Sequence, residues 1–301
     1  MVARSALGRE LLGAVALIAL LITGLALWTG TMPPLVVVES GSMMHSDSGE
    51  IGAIDPGDLV LLMEIDDKTI IHTYVEERMR SNPIKQHGKG GDVIIYDKNG
   101  VGGTPIIHRA LLEVQASQKS FATSSNTCEG TWDSVDEVCI LTWTIPGTDQ
   151  IDVSSVNLTL PEVTCVPDGH VMVSEPFLSI VDWTPSHEGY VTLGDNNDCR
   201  VDQRGVVVNV TGILDAEYAP VQIVRNEWLI GSAGPEIPWL GAVKLVTMSS
   251  GPGSSEVPNA SWLKLSASIA FLFVITNLTP LLRLIRDGDP INSVIDAWEE
   301  E

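Results

Sequence analysis

Two long apolar runs bracket a middle region of short alternating segments. Residues 11–28 are apolar and uncharged, and residues 265–282 form a second run interrupted by Asn277 and Pro280. Each approaches the ~20 residues that cross a bilayer as a helix. The first also exceeds the ~7–15-residue core of a cleaved leader. A cleaved signal peptide for the first, and a buried core helix for the second, are the competing readings. Met32-Pro33-Pro34 ends the first helix, because proline cannot continue the helical ladder.

Between the two runs the pattern is that of strands. Residues 35–38, 59–63, 92–96, 106–112, 189–193 and 206–210 are β-branched or apolar runs bounded by Gly, Pro, Asn and Asp. Asn99-Gly100 and Gly102-Gly103 mark a hairpin turn between the third and fourth. Residues 66–80 read as a charged helical insertion, and 82–91 as a loop. Residues 113–188, rich in Ser, Thr and Pro, read as an inserted β-rich lobe or a set of long loops. Residues 235–246 are apolar but too short to span; Trp239 suits a membrane interface, and a buried strand or helix fits equally well. In the tail, Asp289 and Pro290 can start a helix whose Ile291, Val294, Ile295 and Trp298 share one face.

The expected organisation is a mainly β protein with an N-terminal and a C-terminal transmembrane helix. Its parts are a cytoplasmic start and anchor (1–30), a β domain in two pieces (31–112 and 189–260) around the lobe (113–188), a second span (261–283) and an acidic tail (284–301). Arg4 and Arg9 precede the first run, and Arg283 and Arg286 follow the second. The positive-inside rule then puts both termini in the cytoplasm and the middle outside. Lys264, near the outer end of the second run, is placed to snorkel to the interface.

Charge narrows the partners. Formal net charge is −22 over 301 residues, with a pI of about 4.4, yet mean hydropathy is +0.19. Nucleic acid is excluded as a partner, since phosphate binding needs a basic face. An excess of acid is common on surfaces that work in high salt. The four cysteines, Cys128, Cys139, Cys165 and Cys199, all fall in the outer region, where disulfides persist. Proximity favours Cys128 with Cys139, leaving Cys165 with Cys199. A zinc site is the rival, without any Cys-x-x-Cys pair to support it. Sequons at Asn157, Asn209 and Asn259 agree with an outside location.

The candidate chemistry starts at Ser40-Gly41-Ser42-Met43, a serine turn at the end of the first strand and just beyond the first apolar run. A serine hydroxyl is a weak nucleophile until a base takes its proton. Among the outer histidines only His108 lies within a β-branched strand, next to Arg109. A histidine with no catalytic role fits that position too. Gly194-Asp195-Asn196-Asn197 directly follows an apolar strand, so its carboxylate can be presented beside a sheet, where an acid fixes a histidine's tautomer. It is equally an ordinary Asp/Asn/Gly turn. Asp198 and Asp202 follow closely.

Taken in order, Ser40-Gly41-Ser42-Met43, Ile106-Ile107-His108-Arg109 and Gly194-Asp195-Asn196-Asn197 resemble the sequence boxes of type I signal peptidases. The histidine at 108 is similar to the archaeal and endoplasmic-reticulum branch. Residues 56–60, 91–95 and 237–241 match further family segments, and the resemblance covers about residues 10–112 and 189–245. It implies a membrane-bound serine endopeptidase, a hydrolase with Ser42 as nucleophile, His108 as general base, Asp195 as first carboxylate and Asp202, rather than Asp198, as second. It implies an oxyanion role for Ser40, and substrate edges at Val36, Val38, Ile106 and Ile107. Its substrates are secretory preproteins with signal peptides, its surroundings are membrane lipid and the protein-translocation machinery, and no metal or cofactor is involved. Three departures stand out. His45 occupies the place of a family proline, an acidic insertion (46–54) follows it, and the second aspartate is one residue late. A non-catalytic partner subunit and an extracellular β-rich binding module are the alternative readings.

Overall fold

The computed structural model describes residues 2–122, 124–164, 177–197, 200–207, 212, 219–247 and 253–287. The chain opens with α1 (Val2–Thr29), of which Gly8–Thr29 is long and apolar enough to cross a membrane. Those 22 residues rise about 33 Å, close to the ~30 Å hydrocarbon core. Strands β1 (Leu35–Val37) and β2 (Leu59–Met63) follow as an antiparallel pair. The end of α1 is sewn to β2: Glu64 N donates to Thr29 O (2.8 Å), and Thr31 Oγ1 to Leu62 O (2.6 Å). The helix therefore hands the chain straight to the sheet that carries the site.

Residues 66–80 do not form one helix. Asp66 Oδ1 accepts from Lys68 N and Thr69 Oγ1, which closes a turn instead. Only α2 (Tyr74–Arg78) is helical, started by a reciprocal cap between Thr73 and Glu76. The Thr-x-x-Glu spacing at 73–76 is the sequence signal for that start. Within the expected loop 82–91, β3 (Lys85–Gln86) and β4 (Lys89–Gly90) make a two-residue hairpin.

Strand β5 (Val93–Tyr96) pairs with β6 (Ile106–Ser120) across the expected hairpin. All four residues of β5 are buried, with Val93 and Ile95 in one apolar cluster and Ile94 and Tyr96 in another. A strand covered on both faces has no polar side to show, hence the continuous Val-Ile-Ile-Tyr run. Strand β6 does not stop at Leu112. It continues into the lobe, where its far half pairs with β8 (Val138–Thr144), itself paired with β7 (Thr131–Asp133). The disulfide Cys128–Cys139 ties the segment before β7 to β8. Strands β9 (Val156–Thr164) and β10 (Phe177–Trp183) form a separate hairpin. Trp143, Leu160, Leu178 and Ile180 from these strands, with Ile145 just after β8, help fill the largest core cluster. Burying side chains of this size contributes about 1.5–3 kcal/mol each.

Strand β11 (Gly189–Leu193) pairs with β6 on the edge away from β5, and β12 (Leu229–Ile237) lies between β2 and β5. Residues 206–207, expected in a strand, are outside the regular strands; the sheet's return here is made by single bridges at Val201 and Gln203. After β12 come α3 (Ala242–Thr247) and α4 (Asn259–Asp287), the latter with a second apolar stretch, Asn259–Leu278. The protein is thus β-rich, with an apolar helix near each end. The expected tail helix, the Cys165–Cys199 pair and Asp198 lie outside the described residues.

Candidate active site

Ser42 sits in a single helical turn, Gly41–Met43, four residues after β1. Two anchors hold that turn. Met43 is 2% exposed and packs among Val38, Ile54, Val60 and Ile95. From the other side, Asn196 donates its backbone N–H to Ser42 O (2.8 Å) and its side-chain amide to Gly41 O (2.9 Å). The approach is close enough to require glycine at 194: a Cβ there would lie 2.7 Å from Ser42 O.

His108 reaches this turn from β6. Its Nε2 is 2.9 Å from Ser42 Oγ, and its Nδ1 is 2.5 Å from Asp202 Oδ2. The carboxylate can only accept at Nδ1, so Nδ1 carries the proton and Nε2 is left to accept from the serine hydroxyl. Asp202 is fully buried, and the same Oδ2 also accepts from Thr192 Oγ1 (2.6 Å) and Tyr96 OH (2.9 Å). Gln203 orients Thr192 in turn: its Nε2 donates to Thr192 Oγ1 (3.0 Å) and its Oε1 accepts from Thr192 N (2.9 Å). Burial, and then the Asp202 charge, push the Tyr96 phenol well above its ordinary value of 10.0, so it stays a donor.

Asp195 stands elsewhere. It does not touch His108 but takes a forked pair from Arg109, Nε to Oδ1 (2.9 Å) and Nη2 to Oδ2 (2.7 Å). His45 Nε2 meets the same Oδ2 at 2.9 Å, and Lys89 Nζ donates to Asp195 O at 3.2 Å. Burial alone would raise this carboxyl; the bonds from Arg109 and then His45 outweigh it and hold the group well below the usual carboxylate range. Arg109 spends its remaining donors on backbone carbonyls of the β3–β4 hairpin and Gly91, including Gly91 O at 2.6 Å. The Asp195 cluster is therefore a brace beside the Ser42–His108–Asp202 chain. His45 is one of its members.

Ser40 Oγ lies 3.3 Å from Ser42 Oγ. The amides of the Gly41–Met43 turn are the leading N–H groups of a helical turn and have no acceptor inside it. Val36, Val38, Ile106 and Ile107 line the same cleft as Ser42 and His108, with a volume of about 920 Å³. Both walls present backbone. Among the described residues β1 ends the sheet, and Leu62 N donates to Pro34 O while Val38 N donates to Asp58 O. By the two-residue alternation of an antiparallel ladder, the peptide groups of Leu35, Val37 and Glu39 turn toward the open edge. On β6, Ala110 N donates to Asp92 O, and Ile94 is opposite His108, so Ile107 turns its peptide groups away from β5. Among the described residues the β11 pairing reaches only to Arg109, and Ile107 has no strand partner on that side.

Tyr96, Thr192, Gln203, Asn196 and Arg109 were not singled out as site residues by the sequence. A polar Thr192 inside the apolar run Gly-Tyr-Val-Thr-Leu is the signal that could have found one of them. No family model, no curated protein and no solved structure matches this chain.

Proposed function

We propose that the chain is a membrane-anchored serine endopeptidase that removes signal peptides from secreted preproteins. The observation that carries the proposal is the continuous relay Ser42 Oγ–His108 Nε2–Asp202, with both links within hydrogen-bond reach. A preprotein held in the bilayer by its own apolar segment presents an extended strand to the cleft. That strand adds to the open edges at Leu35, Val37, Glu39 and Ile107, and main-chain bonds set its register. Its alternate side chains point toward the apolar lining at Val36, Val38 and Ile106, where small residues fit.

Ser42 Oγ attacks the scissile carbonyl as His108 Nε2 takes its proton. Such base catalysis contributes about 10²–10⁴ in rate. The Ser42 amide and the Ser40 hydroxyl stabilise the oxyanion, each donor contributing up to about 10²–10³. Asp202 holds the imidazole in the required tautomer and faces the imidazolium that forms, while Tyr96 and Thr192 hold Asp202. His108 then gives its proton to the leaving amine, and water attacks the acyl-enzyme by the reverse sequence. Asp195 positions the serine turn and Arg109; it does not enter the proton relay.

Two helices long and apolar enough to cross a membrane support a cleft that works at a membrane surface, and their basic outer flanks support a cytoplasmic side for both termini. Ser42→Ala in the membrane-embedded full-length chain abolishes cleavage of a radiolabelled preprotein. Cleavage at an unchanged rate refutes the enzyme reading and leaves the partner-subunit and binding-module alternatives.

A further inference from the structure

We propose that α4 is a working part of the cleft, with Lys264 as a positioning residue that straps the helix to the 46–54 segment and thereby holds His45 on Asp195. The proposal rests on the reading of Ser42 as nucleophile.

A lysine near the outer end of a membrane helix ordinarily reaches outward to water or lipid headgroups. Lys264 instead turns onto the protein. Its Nζ donates to Ser48 O (2.8 Å) and Gly49 O (3.0 Å), and lies 5.7 Å from the centre of the Trp239 ring. An ammonium has three donors, so two carbonyls and an aromatic face account for its main interactions. Trp239 closes the triangle: its Nε1 donates to the same Gly49 O (3.2 Å) and its backbone N–H to Asp58 Oδ1 (2.7 Å). The contact is tight. Gly49 is buried with φ +68°, and a Cβ on it would fall 2.2 Å from Ser261 Oγ on α4. Neither a larger residue at 49 nor a shift of the helix leaves this geometry intact.

The strapped segment is the acidic insertion that begins four residues after Ser42. Its far end is held by Gly52 N donating to Glu236 Oε1 (2.6 Å). Immediately before the segment stands His45, whose ring lies against Gly88 and bonds Asp195 at 2.9 Å. Asp195 holds Arg109, the neighbour of His108, and the residue after Asp195 clamps the serine turn. Every step from Lys264 to Ser42 is thus a covalent neighbour or a hydrogen bond. Without the ammonium, Ser48 O loses its donor and Gly49 O keeps only the Trp239 indole, so the segment that leads to His45 is held less firmly against α4.

The test uses the full-length chain in detergent and a short soluble peptide substrate, which removes any contribution of the helix to substrate delivery. Lys264→Met keeps the apolar stem and deletes the donors. The expected result is a three- to tenfold fall in kcat with KM unchanged, together with faster amide hydrogen exchange confined to 46–54. Lys264→Arg restores both. Trp239→Phe, which removes only the indole donor, gives a smaller change of the same sign and serves if Lys264→Met fails to fold. A kcat within twofold of the parent overturns the proposal, whether or not the segment loosens. Peptide cleavage that survives Ser42→Ala sinks the enzyme reading instead, and the exchange data then decide the strap by themselves.

Discussion

Asp195→Asn separates a brace from a catalytic carboxylate. The side chains of Asp195 and Arg109 are each 4% exposed, and they form a two-pronged pair at 2.7 and 2.9 Å. An asparagine of nearly the same shape offers one oxygen and leaves the guanidinium charge uncompensated. Removing one partner of such a buried pair costs about 3–5 kcal/mol, the upper end applying where no water can replace it. For a chain of this size that corresponds to a fall in Tm of about 6–20 °C. The Asp195 carboxyl is held below its ordinary range, so its contribution is present above the unfolded-state value of about 4 and is lost only as pH falls through the lower native value. The deficit of the variant is therefore constant between pH 5 and 8 and shrinks below about pH 4. Tryptophan fluorescence melts of the solubilised protein measure it. In contrast, Asp202→Asn should fold yet lose about 10⁴ in kcat, because an amide no longer enforces the Nδ1-protonated tautomer. Adding Arg109→Met to Asp195→Asn removes the orphan charge but also the donors to Gln86 O and Gly91 O, so it recovers only a part of the stability. The reasoning fails if Asp195→Asn melts within 0.5 kcal/mol (roughly the scatter of a surface substitution) of the parent, or if it matches Asp202→Asn in lost turnover while keeping parental stability.

Two more perturbations probe the surroundings. Burial pushes the Asp55 carboxyl up to about 6, so the fold favours its protonated form; the stability this contributes is full at acid pH and declines as pH rises through about 6. Asp55→Asn should flatten that part of the stability profile, and melts from pH 4.5 to 8 with an unaltered slope would count against it. Gly194→Ala puts a Cβ 2.7 Å from Ser42 O and 2.6 Å from Asn197 Nδ2, so the aspartate loop must lift off the serine turn. We expect at least a tenfold loss of kcat from a protein that melts within a few degrees of the parent; parental kcat would show that the loop contact is dispensable.

Much of the strand framework was legible because it is written in local pattern. Residues 59–63 and 189–193 coincide with β2 and β11, where a β-branched run is closed by turn residues on both sides. Residues 66–80 misled because charge at helical spacing does not by itself start a helix; the Asp66 turn competes for the backbone until Thr73 supplies a cap. At the site, Ser42, His108 and Asp202 are brought together from 66 and 94 residues apart, which no local pattern encodes. Their order along the chain suggested the grouping. Asp195 falls to Arg109 and not to His108. Successive side chains on a strand point to opposite faces, so His108 and Arg109 cannot serve one carboxylate. Leu193 pairs with Arg109, and the loop that follows delivers Asp195 to the arginine. The chain must then double back beside Thr192, with Asp202 N donating to Thr192 O at 3.0 Å, before a carboxylate reaches the histidine.

The unbroken run of β6 from Ile106 to Ser120 bears on how such a protein can diversify. Its first half is pinned by β5 and β11, while the pairing with β8 slips in register between Ala116 and Gln118 and again before Lys119. Irregularities of that kind absorb added or deleted residues without passing the change along the strand. Changes of length beyond residue 117 can therefore be absorbed while the alternation that aims His108 at Ser42 stays in phase, but the lobe's core side chains share one cluster with Leu112, Val191 and Val201 and can only change in concert with them.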